Sequence, residues 1–311
     1  MFLGFDIGGT KCGVVTGDDR GILRTRKIPT DRGRKPVDIL SELSDLAENL
    51  LEGETPEAIG VSCGGPLDSA RGLILSPPNL PGWDEVPVTD FLEKRFGAPA
   101  KLQNDANASA LAEWRYGAGK GTRNMIFLTF GTGLGAGLIL DGRLYAGTND
   151  MAGEAGHIML SEFGPAGYGK AGSFEGFCSG GGIVQLGHIC AEEALGNGIR
   201  PAYYPIDGNI RSVTAKSIAE AAYDGDVTAK RVYDLCGTML GRGLAILIDL
   251  LNPEMIVLGS IFARSGDLLR PGMEKELNKH ALARSLAVCR VEPAKLGDAI
   301  GDYAALAVAE A

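Results

Sequence analysis

The sequence is poor in the groups that build metal centres and covalent cross-links. Its three histidines, His157, His188 and His280, exclude a histidine-rich metal site by count. Its six cysteines (Cys12, Cys63, Cys178, Cys190, Cys236 and Cys289) include no close pair. Neither a zinc module nor a disulfide framework follows from that spacing, and buried free thiols in a reducing compartment are expected. A basic footprint is also missing: the formal net charge is −9 and Lys and Arg form no extended cluster, which argues against nucleic acid as a partner. No apolar run is long enough to span a bilayer, and the start, MFLGFDIGG, lacks the basic residues and cleavage site of a secretory leader. A cytoplasmic protein without a membrane partner is expected.

What is present suits a globular protein. The 311 residues leave room for two domains, and 45% hydrophobic residues with 46 glycines imply large cores and many tight turns. Residues 2–6 read as a buried strand, 12–16 as a second and 22–29 as a third. The first turn lies in DIGGTK, residues 6–11. Glycines let backbone N–H groups approach phosphate oxygens, Thr10 adds a donor, and Asp6 suits a hydrated magnesium ion. Alone, the same motif fits a plain tight turn.

Val37, Leu40, Leu43, Ala47, Leu50 and Leu51 recur at helical spacing, and residues 58–62 return as an apolar strand. The following loop carries glycines at 64, 65, 72 and 82 and prolines at 66, 77, 78 and 81, a stiffness that suits the wall of a binding cleft. Within it Asn79 suits either hydroxyl recognition or a turn. After a helix over 87–96, KLQNDANASALAEW (101–114) reads as a strand running into a helix, with Asn104 and Asp105 at the junction. Such junctions host chemistry in α/β proteins, although a simple helix cap would use the same residues. The glycine-rich stretch 116–124 reads as a hinge.

The second half begins with a strand over 125–129 leading into FGTGLGAG. Gly131, Gly133 and Ala136 satisfy the dinucleotide G-x-G-x-x-A spacing. That fingerprint should open a helix, whereas Leu138, Ile139 and Leu140 continue extended and Asp141-Gly142 signals a hairpin. The segment therefore reads as a second phosphate loop, with Thr132 as its hydroxyl donor. Glu154, His157 and Glu175, in the loop over 148–175, are groups of the kind that hold sugar hydroxyls, although loop carboxylates are commonly just solvated. Helical spacing covers 178–195 and 214–251. A strand over 255–258 closes on Gly259, and a helix (264–279), a strand (286–292) and a last helix from 300 follow.

Taken together, DIGGTK (6–11), PNLPGW (78–83), NDANASALAEW (104–114), GTGLGAGLI (131–139), GEAGH (153–157) and IVLGS (256–260) resemble the ROK family of sugar kinases and repressors, in the family's order and over nearly the whole chain. The resemblance implies an α/β, actin-like ATPase (ribonuclease H-like) fold: two domains with a cleft between them, the last helix packing back on the first. The smaller domain would span 1–118 plus 298–311 and the larger 119–297. It implies a hexose kinase using ATP and Mg2+, with Asp105 as general base. Gly65, Asn79, Asn104, Glu154, His157 and Glu175 would face the sugar. Asp6, Gly8, Gly9, Thr10, Lys11, Gly131 and Thr132 would face phosphate and magnesium, and Gly259 the adenosine. Glucose or a related hexose is the expected substrate. The alternatives are an N-acetylhexosamine, mannose or fructose, or a sugar-binding regulator that has lost catalysis. Family members are often dimers or tetramers, so the resemblance allows a homodimer.

The chain departs from the family at three places. Most members hold a structural zinc on C-x-C-G-x-x-G-C-x-E and the histidine of the G-H pair. Here the cysteine positions are Ala166, Tyr168 and Ser173, so no structural zinc is expected. Tyr168 is expected to fill part of that volume, with its hydroxyl or a backbone carbonyl orienting His157. Ser260 and Ile261 stand where a glycine pair follows the adenosine strand. The first phosphate hairpin begins within six residues of Met1, which is expected to leave no room for the family's DNA-reading domain.

Overall fold

A computed structural model describes residues 1–311. Two compact units emerge: Met1–Arg123 with Gly137–Ala152 and Lys295–Ala311, and Asn124–Ala136 with Gly153–Ala294. The sequence reading placed 119–297 in a single block, whereas Gly137–Ala152 belongs with the first unit.

The first unit begins β1 (Phe2–Ile7), β2 (Lys11–Asp18), β3 (Gly21–Pro29), α1 (Pro36–Leu51) and β4 (Ile59–Cys63). Three short strands, β5 (Leu67–Asp68), β6 (Leu73–Ile74) and β7 (Val86–Pro87), precede α2 (Val88–Phe96), β8 (Ala100–Asn104) and α3 (Asp105–Arg115). The main sheet runs β3-β2-β1-β4-β8, antiparallel through β1 and parallel from β1 to β8. Its central strands are buried at nearly every position, as expected of a sheet covered on both faces. On one face, Ile39, Leu40, Leu43 and Ala47 of α1 supply the apolar stripe. The proline-rich loop is no loose flap: Leu80 and Trp83 are buried in the same core.

In the other unit, β9 (Met125–Leu128) leads through a glycine loop to β10 (Ala136–Leu140), which carries the chain back into the first unit before β11 (Arg143–Leu144). Gly137 makes that passage possible: a Cβ there would lie 2.5 Å from Ala110 Cβ and 2.6 Å from the Ala106 carbonyl oxygen of α3. Next come β12 (Ala166–Gly167), β13 (Lys170–Ala171), α4 (Phe174–Phe177), α5 (Gly180–Gly196), α6 (Ala215–Tyr223) and α7 (Val227–Leu251). Then β14 (Met255–Leu258), α8 (Ile261–His280), α9 (Ala283–Leu286) and β15 (Arg290–Pro293) lead to α10 (Ile300–Glu310). Strands β9, β14 and β15 pair in parallel.

Two expectations are corrected. The helical stretch 214–251 is two helices, because Gly225 takes φ +100° and Asp226 caps α7 by accepting from the Ala229 N–H. The strand expected over 286–292 starts only at Arg290, because Ala283–Leu286 forms α9, anchored by the Leu282 N–H on the Asp249 carboxylate. No helix is long and apolar enough to cross a membrane.

Helix α10 returns to the first unit and covers the second face of its sheet. The approach is close enough to exclude side chains beneath it: a Cβ on Gly60 would lie 2.1 Å from the Ala305 carbonyl and 2.3 Å from the Ala309 nitrogen. Gly60→Ala should therefore cost about 3 kcal/mol or more, or prevent folding. Gly196→Ala, where the added methyl meets nothing within 4 Å, should leave the thermal midpoint within about 2 °C of the parent. Melting curves of the two variants test this.

Candidate active site

Register brings the candidate residues of the first unit to one edge. Ile7 pairs with Cys63 and Cys63 with Asn104, so β1, β4 and β8 end in step. The Gly8-Gly9-Thr10 turn, Gly64-Gly65 and Asn104-Asp105 all leave from the carboxyl ends of parallel strands, where open α/β sheets place their ligands.

The first turn is fixed from behind. Thr30 Oγ1 donates to the Gly8 carbonyl at 2.6 Å and Arg32 Nε to the Gly9 carbonyl at 2.9 Å, and the Gly9 and Thr10 N–H groups have no backbone acceptor. Thr30 and Arg32 were not identified from sequence; only their position just past the third strand pointed to them. Asn79 closes on the same turn: a Cβ on Gly9 would lie 2.5 Å from the Asn79 carbonyl, and one on Gly64 3.4 Å from its side-chain amide. Lys11 opens β2 as an exposed residue, and Gly65 is exposed on the neighbouring loop.

At the strand–helix junction the cap is Asn104. Its Oδ1 accepts from the Asn107 N–H at 2.8 Å, which makes Asp105 the first residue of α3. The cap reading of Asp105 is thus set aside, because its neighbour takes the cap. Asp105 keeps part of its surface open to solvent, while protein crowds its carboxyl group. This desolvation raises its carboxyl above the ordinary 3.8, outweighing the N–H groups of Ala106 and of Asp105 itself.

Asp6 is pushed up to about 6, first by burial and then by the neighbouring Asp302 carboxylate, against the opposing pull of Lys11 and Lys27. Asp302, on α10, pairs with Lys27 at 2.7 Å.

In the second unit the strands also end in step, Leu128 beside Leu258 and Leu258 beside Pro293. The loop after β9 is a turn and opens no helix: the Thr129 N–H donates to the Gly135 carbonyl and the Gly131 N–H to the Gly133 carbonyl, both at 3.0 Å. Thr132 is exposed at its tip. Gly259 abuts this loop, its Cβ position 2.9 Å from the Thr129 carbonyl, and Ser260 follows at φ +40°. The sequence reading missed Ser179-Gly180-Gly181-Gly182. The Gly180 N–H donates to the Gly131 carbonyl at 2.7 Å, and Ser179 caps α5 through the Gly182 N–H at 3.0 Å. A serine followed by three glycines at a helix start was the available signal, since such a start suits phosphate.

Glu154, His157 and Glu175 come together beside that loop. Glu154 Oε2 and His157 Nε2 are 3.7 Å apart. A Cβ on Gly156 would lie 2.2 Å from the Leu134 carbonyl and 3.2 Å from Glu175 Cβ. Glu175 Oε2 accepts from the Leu134 N–H at 3.0 Å, which leaves its other oxygen for a ligand.

The residues at the family's zinc positions do not fit a zinc ion. Ser173 Oγ is engaged as the cap of α4, accepting from the Gly176 N–H at 3.1 Å. Tyr168 meets the His157 ring edge-on at 5.3 Å, so the contact is between rings and not through its hydroxyl. Nowhere do three or more His, Cys, Asp or Glu side chains form a group able to hold a metal ion.

The sequence profile of the ROK family matches residues 2–311. The chain belongs to the ROK family. This ROK chain is 31% identical to a glucokinase of Thermotoga maritima over 278 residues, 86% of this chain and 84% of that protein. A ROK hexokinase from Thermus thermophilus superposes with a TM-score of 0.80 at 29% identity, covering 99% and 97% of the two chains. A ROK glucokinase from Streptomyces griseus, solved with glucose and AMPPNP, gives 0.77 at 31% identity, covering 99% of each. The family also includes regulators: the repressor Mlc of Escherichia coli is 29% identical over 227 residues, 72% of this chain and 53% of that protein.

Two measurements check the site. Elemental analysis of the purified protein should find well below one zinc per chain. Asp6→Asn should raise the thermal midpoint at pH 8. The carboxyl titrates near 3.8 when unfolded and about 6 when folded, so its ionisation destabilises the fold progressively between those values and fully above them. The shift corresponds to about 3 kcal/mol. The advantage of Asn should shrink as pH falls from 6 and vanish below 3.8.

Proposed function

We propose that this ROK chain is an ATP-dependent sugar kinase that transfers the γ-phosphate to a hexose hydroxyl, the 6-hydroxyl of glucose or a close relative. The observation that carries the reading is a carboxylate of raised basicity, Asp105, at the carboxyl end of parallel strands beside the Gly8-Gly9-Thr10 turn. Glucokinase relatives matching over most of the chain support it.

Phosphoryl transfer needs positioning, charge neutralisation and a proton acceptor at the attacking hydroxyl. We assign the acceptor role to Asp105. Desolvation strengthens it as a base relative to an ordinary carboxylate. The N–H groups of Gly9 and Thr10, the hydroxyls of Thr10 and Thr132, the Lys11 ammonium and Gly131 are assigned to phosphate, and Gly259 to the adenosine side. Asp6 would hold Mg2+ through water, and the ion would supply charge neutralisation at the phosphate oxygens. Asn79, the side-chain amide of Asn104, Glu154, His157 and the free oxygen of Glu175 are assigned to sugar hydroxyls, and Gly65 to the same substrate.

An ATP-hydrolysis-coupled assay over glucose, mannose, fructose and N-acetylhexosamines tests the reading. Glucose or one of the others should be turned over, and silence across the panel would leave a sugar-binding regulator. In the active pair, Asp105→Asn should keep sugar affinity within about threefold and lower kcat by about three orders of magnitude or more. Turnover close to that of the parent would remove Asp105 as the base.

A further inference from the structure

The loop from His157 to Glu175 carries two of the groups assigned to the sugar, and the residues at the zinc positions of its frame do not fit the ion. One side chain outside the loop binds it. Gln185, in the second turn of α5, donates from Nε2 to the Ala166 carbonyl at 2.9 Å and accepts at Oε1 from the Ala166 N–H at 2.9 Å. Both backbone groups of Ala166 are met by one amide, and only one orientation of that amide satisfies both.

The contact passes directly to Glu175. Gly167, beside Ala166 in β12, packs so tightly that a Cβ there would lie 2.6 Å from the Gly176 nitrogen and 2.8 Å from Glu175 Cβ. A shift of Ala166 therefore moves the surface on which the Glu175 stem rests. Glu175 in turn holds the Leu134 N–H of the glycine loop. On the opposite side of the hairpin, Lys170 Nζ donates to the His157 carbonyl at 2.8 Å, which ties β13 to the GEAGH turn. The hairpin between His157 and Glu175 is thus fastened at one strand by Gln185 and at the other by Lys170.

We propose that Gln185 is a positioning residue that sets this loop through Ala166, a protein clamp in the place of a metal ion, and so fixes Glu175 and His157 toward the sugar. The kinetic side of the proposal rests on the sugar-kinase reading; the clamp itself does not.

The test uses the full chain with Gln185→Leu, which removes both bonds, and Gln185→Glu, which keeps the acceptor for the Ala166 N–H and loses the donor. Hydrogen–deuterium exchange should accelerate about tenfold or more across 166–172 in Gln185→Leu and less in Gln185→Glu, with the melting temperature of both within about 3 °C of the parent. In steady state the sugar KM should rise about tenfold in Gln185→Leu, with kcat within about twofold and the ATP KM unchanged. Unchanged exchange over 166–172 would overturn the clamp. Faster exchange with an unchanged sugar KM would overturn the positioning role, and so would equal losses in the sugar and ATP constants. If the parent turned over no sugar, the kinase reading would fail, while the exchange measurement would still decide the clamp.

Discussion

One buried carboxylate joins three stretches of chain. Glu113 of α3 is fully shielded from solvent, yet its Oε1 accepts from the Lys295 and Leu296 N–H groups and its Oε2 from the Ala118 N–H, at 2.8 to 2.9 Å. A polar group in such a place is tolerable because it is hydrogen-bonded at both oxygens. Gly117 has no room for a side chain, since a Cβ would lie 2.0 Å from Glu113 Oε2. Residues 117–119 precede the first exit of the chain from the first unit, and 295–296 follow its last return. Both are fastened to the helix whose first residue is Asp105. The placement of the candidate base thus depends on a residue two turns along the same helix that touches no ligand.

The candidate site carries an electrostatic cost. Asp6 and Asp105 are both held above the ordinary carboxylate range, mainly by lost hydration. Structural surface pairs such as Arg20 with Asp18 show the opposite shift, the carboxyl lowered by its partner. Under the proposed kinase reading, a cation at Asp6 and a hydroxyl proton at Asp105 would relieve that cost on arrival.

Motifs whose chemistry is local were legible in the sequence. A glycine turn between strands needs its own residues and little else, so both glycine turns were found, and the extended run after Gly131 rightly argued against a Rossmann helix. Quantities set by distant chain were not legible. The basicity of Asp105 depends on packing, and no spacing encodes it. Glu113 was one letter in ALAEW because its partners lie up to 183 positions away. Gln185 reads as an ordinary polar helix residue until Ala166 is seen beside it. At Asn104 and Asp105 either neighbour suits a cap, and only the bond to Asn107 shows which one takes it.

The position of α10 has a consequence for how the protein is made. Its partners Gly4 and Gly60 lie in the earliest strands, and the whole second unit is synthesised before α10 follows. While α10 is still missing, the face of the sheet that it covers lacks its partner. The second unit, lying between Asn124 and Ala294, can complete its β9-β14-β15 pairing first. The core of the first unit therefore waits on α10, a segment that follows the whole second unit in sequence. In the interval its exposed sheet is the surface most open to chaperones and to misassociation.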